Sequence, residues 1–99
     1  MSQTDEFSVP ERPRKRPGLI REELEGMDEV IFVDDASGSN FAMNQMAAVI
    51  LELCDGSRTP QAIADIIAES LSADPAQVAA DTEAILTEFS AYGLIDGDN

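Results

Sequence analysis

Residues 41–56, FAMNQMAAVILELCDG, contain the change from a strand pattern to a helix pattern that decides the fold. Asn44 is a residue type suited to the N-cap of a helix. Four apolar residues after it recur at the spacing of one helix face: Met46, Val49, Ile50 and Leu53. Gly56 is typical of a helix end. The stretch therefore predicts a strand that runs directly into an amphipathic helix.

Two further strands are predicted upstream of this stretch. The first covers residues 19–24, and the second, Glu29–Asp34, is rich in β-branched and aromatic residues. Residues 35–38 have turn-forming side chains and lead into the third strand, residues 39–43.

Two more helices are predicted downstream. Thr59 and Pro60 are suited to an N-cap and a first helical residue, and Asp74 with Pro75 repeats that signal. Gln77 stands where a capping box would place it. The apolar residues of the second helix are Ile63, Ile66, Ile67 and Leu71, and those of the third are Val78, Ile85, Leu86 and Phe89. Gly93 ends the third helix, so that Leu94 and Ile95 can fold back onto the core.

This order of elements indicates an α+β domain with a three-stranded antiparallel sheet followed by three helices. We expect the domain to cover residues 18–95. Residues 1–17 are polar and interrupted by three prolines, so they predict a disordered N-terminal tail. Residues 96–99 predict a flexible C-terminus.

The charge is unevenly distributed. The net charge is -14, yet only Arg58 is basic in residues 22–99, whereas 17 residues there are acidic. Such a surface repels nucleic acid and anionic lipid and favours partners with basic patches, although it also serves plain solubility. No apolar run approaches the roughly 20 residues of a membrane span, and the N-terminus does not resemble a signal peptide. We therefore expect a cytoplasmic protein that binds neither nucleic acid nor a membrane.

Catalytic chemistry has little support in the composition. The chain has no histidine, and its single cysteine, Cys54, lies in an apolar helical stretch where a small core residue is expected. The paired acids Asp34-Asp35 and Glu22-Glu23 are expected to be solvated strand and turn residues. The sequence thus predicts no catalytic residue, no metal site, no cofactor and no enzymatic activity.

The order and spacing of several motifs resemble the PqqD family over about residues 18–95. They are a strand ending in Met43-Asn44, a helix closing in Leu53-Cys54-Asp55-Gly56, a Thr-capped helix from Thr59 to Ile67, the step Ala79-Ala80-Asp81 and the ending Gly93-Leu94-Ile95. The resemblance implies a winged helix-turn-helix-like fold. It also implies a domain that binds the leader region of a ribosomally made precursor peptide and presents it to a maturation enzyme, often a radical SAM enzyme.

The resemblance further implies where the peptide binds. It would add as a strand beside the third strand and lie against the third helix, which suits an edge strand with unpaired backbone groups. The expected peptide-binding residues are Ser39, Asn40, Phe41, Ala42 and Met43 on the strand and Asp81, Ile85, Glu88, Phe89 and Tyr92 on the helix. Phe41, Ile85 and Phe89 are also expected in the core. The acids suit a leader that carries Lys or Arg.

Two other functions stay open at this point. One is a winged-helix regulatory or adaptor protein that acts through protein contacts, because Arg58 alone gives its helices little attraction for DNA. The other is an acyl or peptidyl carrier, with Ser70 as the attachment residue, although Ser70 is predicted at the end of a helix. An open edge strand also permits dimers, so the oligomeric state is undetermined.

Overall fold

The computed structural model describes residues 9–23, 26 and 28–96 of the chain. The elements in these ranges are β1 Arg14–Lys15, β2 Leu19–Glu23, β3 Glu29–Asp34, β4 Asn40–Asn44, α1 Gln45–Leu53, α2 Pro60–Leu71, α3 Pro75–Ala91 and β5 Ile95–Asp96. The three predicted strands correspond to β2, β3 and β4, although residue 24 lies outside the described residues. The predicted three-stranded antiparallel sheet followed by three helices is confirmed.

The sheet has the order β2-β3-β4, with β3 in the centre. Phe32 pairs with Phe41 and Val30 with Met43 across β3 and β4, so these four side chains share one face of the sheet. Val30 and Phe32 are fully buried on that face, beneath the helices. Burial of alternate residues on β3 therefore fixes which face of the sheet meets the core.

Each helix begins at the N-cap that the sequence predicts. The side-chain oxygens of Asn44, Thr59 and Asp74 accept hydrogen bonds from backbone N–H groups two or three residues further on. The capping box expected at Gln77 does not form, because the Gln77 amide instead donates to the Asp81 carboxylate, at 3.1 Å, one turn along α3.

The core lies between the inner face of the sheet and the three helices. Its fully buried side chains include Phe32, Ile50, Leu51, Ile63, Leu86 and Leu94. Cys54 is only 2% exposed and donates to the Ile50 carbonyl oxygen, which confirms it as a small core residue. Burial, with a smaller contribution from the Asp55 carboxylate, raises the pKa of the Cys54 thiol to about 12.

The apolar face predicted for α1 is only partly buried. Ala47, Ala48, Ile50 and Leu51 are the buried residues of this helix, whereas Val49 is 43% exposed. On α2, Ile66 and Leu71 are likewise 40% and 59% exposed. The two helices therefore carry more apolar surface than the core covers.

Residues 13–16, which belong to the segment expected as a disordered tail, make backbone hydrogen bonds to the rest of the domain in the structure. The Pro13 carbonyl accepts from the Gly56 N–H at 3.0 Å, the Lys15 N–H donates to the Cys54 carbonyl at 2.7 Å, and the Arg16 N–H donates to the Leu94 carbonyl at 2.9 Å. β1 also pairs with β5, and Arg14 lies opposite Asp96, the first residue of the C-terminal segment expected to be flexible. Residues 1–8 and 97–99 lie outside the described residues.

Ion pairs attach this N-terminal segment to the acidic domain. The Arg16 guanidinium contacts the Asp34 carboxylate at 2.8 Å and donates to the Gly93 carbonyl at 3.0 Å. Lys15 pairs with Glu52 at 3.4 Å. A two-residue strand is thus held by backbone hydrogen bonds on both sides and by side-chain charges that match the surface beneath it.

Candidate peptide-docking groove

The outer edge of β4 has no partner strand within the described ranges, since β4 pairs only with β3. The Asp34 N–H donates to the Ser39 carbonyl at 2.8 Å. This bond determines which residue pairs of β3 and β4 are hydrogen-bonded and which are not. It places Phe41 and Met43 at the hydrogen-bonded positions facing β3. The backbone N–H and C=O groups of Asn40 and Ala42 therefore point away from β3, toward the open edge.

A groove of about 540 Å³ lies beside this edge, between β4 and α3. The buried stripe of α3 holds Leu86 and Phe89, which anchors the helix to the core. Ile85, Glu88 and Tyr92 stand at i, i+3 and i+7 on the adjacent stripe and line the groove. The groove thus has one wall of backbone hydrogen-bonding groups and one wall of helix side chains.

Two of the aromatic rings that line the groove lie close to each other. The ring centroids of Phe41 and Tyr92 are 6.4 Å apart with an interplanar angle of 46°, a tilted arrangement typical of aromatic pairs. Phe41 is half-buried against the core, whereas Tyr92 is 64% exposed. A guest side chain placed here would cover an aromatic surface that is otherwise in contact with solvent.

The end of α3 forms the floor of the groove. The Leu94 N–H donates to the Phe89 carbonyl at 2.8 Å, and the Gly93 N–H donates to the Ser90 carbonyl at 3.2 Å. These are the two bonds of a Schellman cap, and Gly93 has the positive φ of 74° that the cap requires. The chain therefore reverses after Tyr92, and Leu94 returns to a buried position at the groove.

Most of the predicted site residues line one groove. The lining consists of Asn40, Phe41, Ala42, Met43, Asn44, Ala47, Ile85, Glu88, Phe89, Tyr92 and Leu94. Ser39 lies in the turn before β4 and Asp81 lies one turn before Ile85, and neither belongs to this lining. Asn44, Ala47 and Leu94 were not predicted. Asn44 could have been predicted because it is on the same side of β4 as Asn40 and Ala42. Leu94 could have been predicted because it follows the helix-ending Gly93.

Glu88 is the charged side chain of this lining, so a carboxylate borders an otherwise mostly apolar groove. In the part of the chain that the structure describes, no three His, Cys, Asp or Glu side chains are grouped to hold a metal ion. None of the helices in the described ranges has the length and hydropathy to span a bilayer. Ser70 lies near the C-terminal end of α2, whereas a carrier attachment serine opens a helix.

The protein is thus a small α+β domain in which the edge of β4, without a partner strand among the described residues, lies beside a groove. A sequence model of the family described as Coenzyme PQQ synthesis protein D (PqqD) matches residues 29–95. The chain belongs to the PqqD family.

Curated relatives of this chain are named for binding PqqA. A "PqqA binding protein" of Rhodopseudomonas palustris strain HaA2 is 39% identical over 54 residues, which are 54% of this chain and 53% of the relative. Its counterpart in strain BisB5 is 37% identical over the same length and coverage. The chain thus spans about half the length of these curated relatives.

Solved structures share the fold. The solution NMR structure of the PqqD truncation of Methylobacterium extorquens PqqCD, described as a RiPP recognition element, has a TM-score of 0.71 at 23% identity and covers 94% of this chain and 99% of that chain. TbiB1 in complex with the TbiA(beta) leader peptide has a TM-score of 0.68 at 21% identity, covering 87% and 98%. A lasso peptide synthetase B1 complexed with the leader peptide has a TM-score of 0.68 at 19% identity, covering 86% and 98%.

Proposed function

We propose that this chain binds the leader region of a ribosomally synthesised precursor peptide and presents it to a maturation enzyme, without a catalytic role of its own. The observation that carries the proposal is the edge of β4, which has no partner strand among the residues that the structure describes and lies beside the groove against α3. The names of the curated relatives and the leader peptides present in two structures of the same fold support it.

The register of β4 defines how a leader would bind. A guest strand would exchange hydrogen bonds with the N–H and C=O groups of Asn40 and Ala42, and it would accept one further bond from the Asn44 N–H. The Asn44 carbonyl is not available, because an N-cap carbonyl accepts the first bond of its helix. Alternate guest side chains, about 7 Å apart, would point into the groove. The backbone contact then spans about five leader residues.

Selectivity would come from the side chains in the groove. Phe41, Met43 and Tyr92 offer aromatic and thioether surface to an apolar or aromatic leader residue. Glu88 offers a carboxylate to a leader Lys or Arg, and the excess of acidic residues over the domain would favour the approach of such a leader. We therefore propose a leader with an apolar residue two positions from a basic one.

The remaining parts of the proposal concern the setting. The chemistry would belong to a separate maturation enzyme, such as a radical SAM enzyme, because this chain has no histidine and its single thiol is buried. The PqqD truncation of a longer PqqCD chain indicates that this fold can be covalently joined to another domain in a relative. The cytoplasm is the proposed compartment, since precursor peptides are synthesised there.

The test is a titration of ¹⁵N-labelled protein with a synthetic leader taken from the short reading frame nearest to the gene of this chain. Amide resonances of residues 40–44 and 85–92 should shift together, and the amides of Asn40, Ala42 and Asn44 should become protected from hydrogen exchange. A control peptide of the same composition in scrambled order should produce neither effect. Shifts confined to residues outside β4 and α3 would refute the groove as the leader site.

A further inference from the structure

We propose that the groove between α1 and α2 is a second docking surface, which binds an amphipathic helix of the maturation enzyme whose apolar face is flanked by Lys and Arg. The inference rests on the proposed function, because a leader-binding protein without catalytic groups must also contact the enzyme that it serves. That contact needs a surface which the leader leaves free.

The groove is large and almost entirely apolar. Its volume is about 410 Å³, and its lining consists of Gln45, Met46, Val49, Leu53, Ile66, Ile67, Ser70 and Leu71. Val49, Ile66 and Leu71 are 43%, 40% and 59% exposed, so they leave substantial apolar area in water. Exposed apolar residues that are grouped in one concave site, rather than scattered singly, mark an interaction surface.

The two grooves are separate and can be occupied at the same time. They share no lining residue. Ala47 belongs to the leader groove, whereas Met46, Val49 and Leu53 belong to the second groove, so α1 contributes different sides to each. A partner seated between α1 and α2 would therefore leave the edge of β4 open to the leader.

The negative charge of the domain indicates what kind of partner would bind in the second groove. No Lys or Arg follows Arg58 in the sequence, and the acids Asp65 and Glu69 of α2 stand next in sequence to the lining residues Ile66 and Ser70, outside the lining itself. A second copy of this chain would bring its own net charge of -14 to the contact, which like-charge repulsion opposes. A partner whose apolar anchor is flanked by Lys and Arg would gain both apolar burial and attraction.

The shape of the groove indicates a helix as the docking element. The walls are two helices, and the furrow between two packed helices accepts the side-chain ridge of a third. α2 has 12 residues, so about three turns of a partner helix would lie along it. Such a helix would place apolar residues at i, i+3 or i+4, and i+7 into the furrow.

The experiment uses a synthetic helical peptide of about 15 residues, with Leu at these positions and Lys elsewhere, titrated into the ¹⁵N-labelled full chain. Amide shifts should centre on residues 45–53 and 66–71. A matched peptide with Glu in place of every Lys should bind at least about tenfold more weakly. Shifts centred on β4 and α3, or spread evenly over the acidic surface, would overturn the proposal.

Two sets of variants complete the test. Ile66→Ser with Leu71→Ser keeps the net charge and should weaken binding of the Lys peptide by at least about tenfold, whereas Ile20→Ser, at a residue 50% exposed outside the groove, should not. Unchanged binding to the double variant would show attraction by charge alone and would refute the second surface. Leader binding separates the two proposals: the double variant should retain wild-type affinity for the leader, and Ala42→Pro should bind the leader more weakly while still binding the Lys peptide.

Discussion

Proline substitutions at two neighbouring positions of β4 test the leader-binding proposal. Proline lacks a backbone N–H and is tolerated in a strand where that N–H faces away from the sheet. The N–H of Ala42 points to the open edge, whereas the N–H of Phe41 bonds to β3 opposite Phe32. Ala42→Pro should therefore reduce affinity for the leader with little loss of stability, and Phe41→Pro should unfold or strongly destabilise the sheet.

The magnitudes follow from the hydrogen bonds concerned. Ala42→Pro removes the β4 N–H that would donate to the guest strand and leaves one guest carbonyl without its partner, which costs about 1–2 kcal/mol of binding free energy, or about 5–30-fold in affinity. The exposed side chain of Ala42 has little packing to lose. Phe41→Pro removes a ladder bond and a half-buried ring, so we expect a loss of about 3 kcal/mol or more in the free energy of unfolding.

Isothermal titration calorimetry with the leader and urea unfolding followed by circular dichroism measure the two quantities separately. Ala42→Ser is the matched control, because it keeps the N–H at the same exposed position and should bind the leader like the unmodified protein. Wild-type affinity in Ala42→Pro, together with retained folding, would refute strand addition at this edge. A folded Phe41→Pro variant of normal stability would refute the assigned register.

Three further predictions concern single residues. Glu88→Gln should weaken binding of a leader that carries Lys or Arg by about 3–10-fold at low salt, as measured by calorimetry. The same variant should bind a leader in which that basic residue is changed to Ala as well as the unmodified protein does. Equal losses for both leaders would contradict the assigned contact. Hydrogen bonds from the Ala36 N–H and the Ser37 hydroxyl, with the Arg16 charge, lower the pKa of Asp34 in the folded protein. The ionised carboxylate therefore contributes stability above the unfolded-state pKa of about 3.9, and this contribution is lost as the pH falls through the lower pKa of the folded state. The difference in Tm between the unmodified protein and Asp34→Asn should thus be constant from about pH 5 to 8 and shrink below about pH 4, and a difference that grows in acid would exclude this linkage. Because the pKa of the Cys54 thiol is raised to about 12, iodoacetamide at neutral pH should alkylate it only after unfolding in urea; alkylation of the folded protein at the rate of a free thiol would show that the thiol is accessible.

The features that the sequence predicted correctly depend on local signals. Asn44, Thr59 and Asp74 mark helix starts because a short polar side chain satisfies backbone N–H groups within the same turn. β3 is recognisable because its β-branched residues alternate between two faces. These signals lie within a few residues of the structure that they specify, so one sequence is enough to read them.

The features that the sequence did not predict depend on distant contacts. β1 has only two residues, too few to show a periodic pattern. Hydrogen bonds join Lys15 of this strand to Cys54, and Pro13 just before it to Gly56, about forty residues away in the chain. The exposure of Val49 also depends on contacts with residues that are distant in the sequence. Helical spacing shows that Val49 shares a face with other apolar residues, but it does not show whether a neighbouring helix covers that face.

The candidate site shows the same division. The groove residues of β4 and those at positions 85, 88 and 92 of the chain were implied by the family resemblance. Asp81 extends the stripe of these helix residues toward the start of α3, yet it lies one turn before the groove, and its carboxylate accepts from the Gln77 amide instead. Leu94 joins the groove because a positive φ at Gly93 reverses the chain, a three-dimensional consequence that helix periodicity does not encode.

The position of Asn44 connects the two proposed surfaces. Its backbone N–H ends the open edge of β4, and its side-chain oxygen caps α1 at 2.8 Å from the Ala47 nitrogen. A leader strand paired along β4 would therefore be fixed relative to α1, and α1 carries one wall of the second groove. An enzyme helix docked on that wall would meet the leader in one defined orientation without a conformational change in this chain. Presentation then follows from the rigid junction of a strand and a helix, and loosening that junction by Asn44→Gly should impair processing of the leader more than its binding, as single-turnover assays with the enzyme and leader affinities measured in parallel would reveal.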